Sequence, residues 1–416
     1  MEEFGKLLKL LKTERDEDLR QYEQYVLRTP LSERRKKGTS WYPVNLLRAE
    51  IGTGEKFYLS LERTSHLDQQ HSFQVGGMVT VFSNSGTGKK MPSTTGVIAS
   101  LWKDTMKVAL NEDELPDWLE DGQLGVDMLF DAFSYNEMEF ALERVRDAKE
   151  GRLAELRNVL LGRSAAQFAD EAPPAFFLSE VLNPSQNRAI ENVLKAQDVA
   201  VIHGPPGTGK TTTLVAAVKM ALQQEQQVLV TAPSNTAVDL LTERLAALGV
   251  KVLRIGNPAR VSEDLVQHSL DAQIAQHHDY NFLKKLRRDA EEMRRLARKY
   301  KRKFGKGERE QRRLLLAEAR KMLGEAQYLE KYIVDSLLEE AQAITATLVG
   351  SVNKFIRHKA FSTVFVDEAA QALEPATWIP VTKAHRVIFA GDHCQLPPTV
   401  KSFEAAQGGL SETLFE

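Results

Sequence analysis

The sequence predicts an α/β protein in which a small antiparallel β-barrel precedes a parallel sheet wrapped by helices. Three observations carry this expectation. After about residue 171, short apolar runs alternate with amphipathic helical patterns, the signature of parallel strands with helices on both faces. Between about residues 40 and 130, short β-rich stretches crowd together, punctuated by Gly, Asn and Ser turns, which suggests a small barrel or sandwich. A glycine-rich loop stands where the first apolar run of the later region meets its helix.

In chain order, residues 1–38 open with a helix. Leu7, Leu8, Leu10 and Leu11, then Leu19, Tyr22 and Val26, recur at helical spacing until Pro30 ends the pattern. The basic run Arg34-Arg35-Lys36-Lys37-Gly38 reads as a linker. Residues 39–131 hold the β-rich stretches Trp41–Leu47, Phe57–Leu61, Val75–Phe82, Thr95–Ser100, Met106–Leu110 and Gln123–Met128. Within residues 132–170, one helix is expected over about 133–163, and Ala172-Pro173-Pro174 breaks the chain after it. Residues 171–416 form the parallel-sheet lobe, with strands expected at Val199–His203, Val228–Thr231, Val252–Ile255, Thr363–Val366 and Val387–Ala390. An insertion at 262–342 is strongly helical. Phe304-Gly305-Lys306-Gly307 divides it into a hairpin of two arms, each roughly 45 Å long at 1.5 Å per residue.

Composition narrows the class. The chain has 416 residues, 42% of them hydrophobic and 27% charged, and no apolar run approaches the roughly 20 residues of a membrane span. The N-terminal Met1-Glu2-Glu3-Phe4-Gly5-Lys6 is charged, unlike a secretory leader. A single cysteine, Cys394, makes neither an intrachain disulfide nor a cysteine-based zinc site, so a reducing cytoplasmic location is expected. The net charge of −2 conceals asymmetry. Residues 283–322 carry seventeen Lys/Arg against six Asp/Glu, near +11, which leaves the rest near −13. Fields act locally, so a basic rod on an acidic body can still bind phosphates.

Gly204-Pro205-Pro206-Gly207-Thr208-Gly209-Lys210-Thr211 fits G-x-x-x-x-G-K-[ST], after an apolar strand and before the helix that opens with Thr212. Such a loop turns backbone N–H groups toward the phosphates of ATP at a helix N-terminus, whose dipole favours anions. Lys210 would reach the β- and γ-phosphates, the Thr211 hydroxyl would ligate Mg²⁺, and Thr212 would complete the ATP-binding set. A second glycine stretch, Gly86-Thr87-Gly88-Lys89-Lys90, lacks the first glycine and the metal-binding hydroxyl and reads as a basic turn. Downstream, Asp367 and Glu368 close an apolar strand at the end that faces the phosphate loop in a parallel sheet. Asp367 would hold Mg²⁺, and Glu368 would orient or activate the attacking water. The following strand ends at Gly391-Asp392-His393-Cys394-Gln395, where the Gln395 amide could sense the γ-phosphate. Adjacent side chains diverge, so Asp392-His393-Cys394 is not expected to form a metal or thiol centre by itself.

Taken in order, Leu182-Asn183-Pro184-Ser185-Gln186, the phosphate loop, Ala232-Pro233-Ser234-Asn235-Thr236-Ala237-Val238-Asp239, Asp367-Glu368-Ala369-Ala370-Gln371 and Gly391-Asp392-His393-Cys394-Gln395-Leu396-Pro397-Pro398 span residues 182–416. The combination resembles superfamily 1 helicases of the up-frameshift and immunoglobulin-mu-binding-protein type. That resemblance implies a RecA-like lobe, with the barrel and its flanking helices as the family's inserted barrel and stalk. It implies that Gln186 reads the adenine edge and that Pro233, Ser234, Asn235 and Thr236 meet the backbone of single-stranded DNA or RNA. Such helicases move 5′ to 3′ by closing two RecA-like lobes around ATP. The second lobe, with its arginine fingers, has no counterpart in these 416 residues. Weak hydrolysis and no unwinding by the chain alone are therefore expected. In the basic hairpin, Leu286, Leu296 and Tyr300 are expected to pack against Leu315, Leu323 and Leu329. Arg294, Arg295, Arg298 and Lys299 are the candidate phosphate contacts. Trp41, Tyr42, Phe57, Tyr58 and Trp102 of the barrel could supply stacking faces near basic residues, but most read as core. A monomer is expected. The competing reading is an ATP-switched module that binds nucleic acid or protein without motor activity.

Overall fold

A computed structural model describes residues 2–51, 56–85, 91–112, 115–171, 182–257, 260–298 and 306–416. The basic turn at 86–90, the break at 172–174, Lys299, Tyr300 and the Phe304-Gly305 hairpin tip lie outside the described residues.

The first helix, α1 (Glu2–Tyr22), runs into a π-turn at Glu23–Leu27. The basic stretch expected as a linker instead forms the last turn of a short helix after Pro30, α2 (Leu31–Lys36), and Arg34 forms an ion pair with Asp127 of the barrel. Six antiparallel strands follow: β1 (Ser40–Ile51), β2 (Phe57–Arg63), β3 (Met78–Ser83), β4 (Ser93–Trp102), β5 (Thr105–Leu110) and β6 (Leu124–Met128). They close in the order β1-β2-β5-β4-β3-β6, with Ser40 opposite Asp127 sealing the barrel. Closure leaves no free edge. Alternate residues fill the interior, among them Trp41, Leu59, Leu61, Val79, Val81, Met106, Val108 and Val126. Trp41 and Tyr58 are buried as expected for core, whereas Trp102 is 74% exposed at the turn between β4 and β5.

The single helix expected at 133–163 is two: α3 (Ala132–Asp147) and α4 (Arg152–Leu160). Gly151 separates them at φ 83° and ψ 178°, a conformation costly for any residue with a Cβ. Helix α3 ends with unpaired carbonyls, and Arg157 of α4 caps them, donating from Nη1 to the carbonyls of Val145 (2.8 Å), Arg146 (3.2 Å) and Ala148 (2.8 Å).

The second layer system opens with α5 (Pro184–Lys195) and builds a six-stranded, wholly parallel sheet. Its strands are β7 (Val199–His203), β8 (Val228–Ala232), β9 (Val252–Arg254), β10 (Ala343–Thr347), β11 (Phe361–Val366) and β12 (Ala384–Gly391), in spatial order β7-β12-β11-β8-β10-β9. Five were expected; β10 is the sixth. Helices α6 (Lys210–Ala221), α7 (Asn235–Ala247) and α11 (Glu374–Val381) supply the connections, and apolar clusters line both faces. Helices α1 and α3 share one of these clusters with the sheet: Phe4 stands edge-on to Trp378 at 5.6 Å between centroids. The Glu14 carboxylate, 2% exposed, accepts backbone N–H groups of Lys401 (2.8 Å) and Ser402 (2.7 Å).

After β9 the chain passes through α8 (Leu270–Gln276) into the hairpin arms α9 (Tyr280–Arg298) and α10 (Lys306–Glu340). The expected leucine stripe is displaced. The buried positions are Leu283, Ala290 and Ala297 on one arm, and Ala319, Ala326 and Ile333 on the other, each seven residues apart. Leu286 and Leu329 are half-buried, and Leu296 is 42% exposed. A seven-residue period keeps one seam facing the partner helix, and alanine there lets the two backbones approach closely. An ion pair from Arg287 to Glu330 (2.9 Å) ties the arms together. Among the described residues, no helix is long and apolar enough to cross a membrane.

Candidate nucleotide site and strand-end surface

In a parallel sheet every strand delivers its C-terminal end to the same edge, so the loops after β7, β8, β11 and β12 converge there. The loop after β7 holds the phosphate-loop motif, and α6 begins at Lys210. Gly209 caps that helix in the left-handed region at φ 80°. A Cβ on Gly209 would be strained at this φ and would sit 2.7 Å from Gln186 Nε2, so it would also push that amide from its place. The loop braces itself: Thr208 Oγ1 donates to the Pro205 carbonyl (2.7 Å), and Gln186 Nε2 donates to the Thr208 carbonyl (3.0 Å). Gln186 also closes a capping box with Asn183 at the start of α5, accepting from the Asn183 N–H at 3.0 Å. One amide hydrogen and one lone pair of Gln186 are thereby committed, and a second of each remains on the amide. Gly204, Pro205, Pro206 and Gly207 complete the turn, and Lys210 Nζ lies 3.5 Å from the Pro205 carbonyl.

Asp367 directly follows β11 and is 2% exposed. Burial lifts its pKa to about 6, and the neighbouring Glu368 charge adds to the rise; the Glu368 N–H, the Thr211 hydroxyl and the Lys210 ammonium pull the other way. Thr211 and Asp367 therefore meet, as the sequence expectation requires of two ligands for one ion. A buried, undercompensated carboxylate beside a hydroxyl offers the hard oxygen donors that suit Mg²⁺. Glu368 adopts φ 51°, in the left-handed region, with its carboxylate accepting from Gln371 Nε2 (2.9 Å). Such strain in a non-glycine residue costs about 1–3 kcal/mol and is commonest at functional sites. At the end of β12, Asp392 accepts from Gln395 Nε2 (3.0 Å) and from the Cys394 N–H (3.0 Å). These hydrogen bonds, the Gln395 amide first, hold its carboxyl below the usual aspartate range.

The residues after β8 sit on the same edge. Ser234 caps α7, accepting the Ala237 N–H at 3.1 Å. Thr236 is exposed, and Pro233 is half-buried. Asn235 accepts at Oδ1 from Arg254 Nη2 (3.0 Å). Arg254 is fully buried and also reaches Asp239 Oδ1 (3.1 Å) and the Ile255 carbonyl (2.6 Å), while Asp239 Oδ2 takes the Ser262 N–H (2.9 Å). Sequence reasoning missed this network; its signal was a lone arginine in the otherwise apolar Val252-Leu253-Arg254-Ile255 run. Also missed was Arg244, whose Nη1 donates to Thr212 Oγ1 (3.0 Å) beside the phosphate loop. On the hairpin, Arg294 is half-buried with Glu291 at 4.0 Å, and Arg295 is exposed. The side chain of Arg298 and all of Lys299 lie outside what is described.

A glycine loop after β7 feeding a helix, with a buried aspartate meeting its threonine from the end of β11 across β12, defines a P-loop NTPase lobe. The chain belongs to the family whose model is described as an AAA domain, matched over residues 181–403. Within it, the chain is a superfamily 1 helicase homologue of the SMUBP-2 and regulator-of-nonsense-transcripts type. It is 35% identical to the DNA-binding protein SMUBP-2 of Rattus norvegicus, over 98% of this chain and 42% of that protein. It is 29% identical to the DNA polymerase alpha-associated DNA helicase A of Schizosaccharomyces pombe, over 91% of this chain and 59% of that protein. To the regulator of nonsense transcripts 1 homolog of Arabidopsis thaliana it is 34% identical, over 70% of this chain and 22% of that protein. The chain thus spans less than half the length of the SMUBP-2 relative.

Proposed function

We propose that the chain is the ATP-binding and ATP-hydrolysing portion of a motor that moves along single-stranded DNA or RNA. The observation that carries this reading is the meeting of Thr211, Lys210 and Asp367 at one sheet edge, with Glu368 and Gln395 on the adjoining strand ends. In this reading the phosphate-loop amides and Lys210 bind the triphosphate of ATP, and Thr211 and Asp367 hold Mg²⁺. The ion, when bound, neutralises charge developing on the phosphates. Glu368 orients water, and Gln395, held by Asp392, reports the γ-phosphate to the rest of the edge. Ser234, Asn235 and Thr236 share that edge, which supports a direct mechanical link between nucleotide and strand. Arg294, Arg295, Arg298 and Lys299 would extend the track along the hairpin.

The motor cycle itself requires a second RecA-like lobe, which the resemblance implies as the partner that closes on ATP. The purified 416-residue chain should therefore bind Mg-ATP yet hydrolyse it slowly, because an arginine finger is worth about 10³–10⁵ in rate in related phosphoryl transfers. The test is steady-state ATPase activity with and without single-stranded DNA or RNA, alongside nucleotide affinity. Binding lost in Lys210→Ala is the expected result. Robust nucleic-acid-stimulated unwinding by this chain alone would overturn the division of labour, and undetectable ATP binding would overturn the site.

A further inference from the structure

Beyond the nucleotide chemistry, one cluster at the same edge has a different donor character. The ladder between β7 and β12 sets His203 opposite Gly391, so the residues that follow Gly391 emerge beside the His203 ring. The His203 and His393 rings lie 4.9 Å apart, and His203 Nε2 lies 3.6 Å from Asp392 Oδ1. The three side chains each offer a ligand atom, all within 4.8 Å of one another. Asp392-His393-Cys394 by itself promised no metal centre; the third donor comes from β7, a strand far away in the sequence.

We infer that His203, Asp392 and His393 form a second cation site, for a borderline transition metal such as Zn²⁺, separate from the oxygen-donor position at Thr211 and Asp367. Around a tetrahedral zinc ion with bonds of about 2.0–2.1 Å, ligand atoms sit roughly 3.4 Å apart. The observed spacing therefore needs contraction of up to about 1.4 Å, within reach of side-chain rotation because both histidines are exposed. Asp392 is the fixed member. It is 3% exposed and anchored by the Cys394 N–H and the Gln395 amide, the kind of outer hydrogen bonding that orients a metal-binding carboxylate. Two imidazoles and one carboxylate leave a fourth position open and select zinc, cobalt or nickel over Mg²⁺, which prefers oxygen alone. Exposure of the histidines gives the ion its entry path. An ion on Asp392 would load the same carboxylate that accepts from Gln395, and so would couple this site to the edge that senses nucleotide. That consequence rests on the proposed function; the binding site does not.

The test uses the full chain in excess Mg²⁺, titrated with Co²⁺ by visible absorption and with Zn²⁺ against a chromophoric chelator. One equivalent should bind, with the intense visible bands of low-coordinate cobalt, and Zn²⁺ should raise the melting midpoint. His203→Asn and His393→Asn should each weaken binding by more than about tenfold while melting like the parent chain in chelator. His278→Ala, in the other histidine pair at His277-His278-Asp279, should leave binding unchanged. Retention of full affinity in both asparagine variants, loss in His278→Ala instead, or displacement of the bound ion by Mg²⁺ would each overturn the inference. Because no readout requires ATP, failure of the motor reading would leave these results interpretable.

Discussion

Replacing Asp367 by asparagine should make the protein more stable while disabling it. The carboxyl is 2% exposed and titrates at about 6 against an ordinary value of 3.8, raised by burial and by Glu368. A raised carboxylate pKa means that the native state holds its proton more tightly than the unfolded chain does. The penalty is absent below the unfolded value, grows between about pH 4 and 6, and is complete above that window. A rise of that size corresponds to about 3 kcal/mol. Asp367→Asn keeps the shape and accepting oxygen but never ionises, so in the absence of divalent cations it should recover most of that sum. For a lobe of this size that is a rise of about 6–12 °C in Tm. The assay is thermal unfolding of both proteins in chelator across about pH 4–8. The gap between them should be small near pH 4, open through about pH 5–6 and level off above about pH 7. Equal stability at about pH 8, or a gap that does not close toward about pH 4, would refute the reasoning. Saturating Mg²⁺ should narrow the gap from the wild-type side, because only the carboxylate gains from the ion.

Arg254→Met should destabilise the lobe by about 3–5 kcal/mol, because it strands the buried Asp239 without its partner; urea titration reads the loss, and a change below about 1 kcal/mol would mean that the pair is not desolvated as described. Gly151→Ala should cost about 1–3 kcal/mol in melting experiments through backbone strain alone, since a Cβ there touches nothing within 4 Å; no loss would show that the α3–α4 corner can adopt another path. Reversing Arg294, Arg295, Arg298 and Lys299 to glutamate should weaken single-strand binding and flatten its dependence on salt, and unchanged affinity and slope would remove the hairpin from the track.

Most elements were legible because their signals are local. Alternation exposed the barrel strands, and the phosphate loop announced its own strand and helix. Strand β10 escaped because Ala343-Ile344-Thr345-Ala346-Thr347 is short, built partly of small residues and joined almost directly to α10. The sequence predicts one helix over 133–163 because the apolar spacing continues on both sides of the Gly151 corner. The hairpin seam differs from the leucine stripe that the sequence predicts because leucine is the stronger apolar signal, whereas the small alanines at the seven-residue spacing let α9 and α10 approach closely. At the site, Lys210, Thr211 and Asp367 were readable as motifs. The neighbours His203 and Asp392, like the Arg254 network, depend on strand order and long-range contact, which no window of sequence contains.

The alanine seam has a mechanical consequence. Two helices held so closely along one line resist bending, and α10, with 35 residues, is a beam about 52 Å long. Its root is not hinged: only Ala341 and Gln342 separate it from β10, which lies beside β8 and the Ser234-Asn235-Thr236 turn. A tilt of about 5° at that root would sweep the far end through roughly 4–5 Å, by simple lever geometry on that length. The arm is therefore a lever: a small rotation at its root becomes a displacement of several ångströms at its far end.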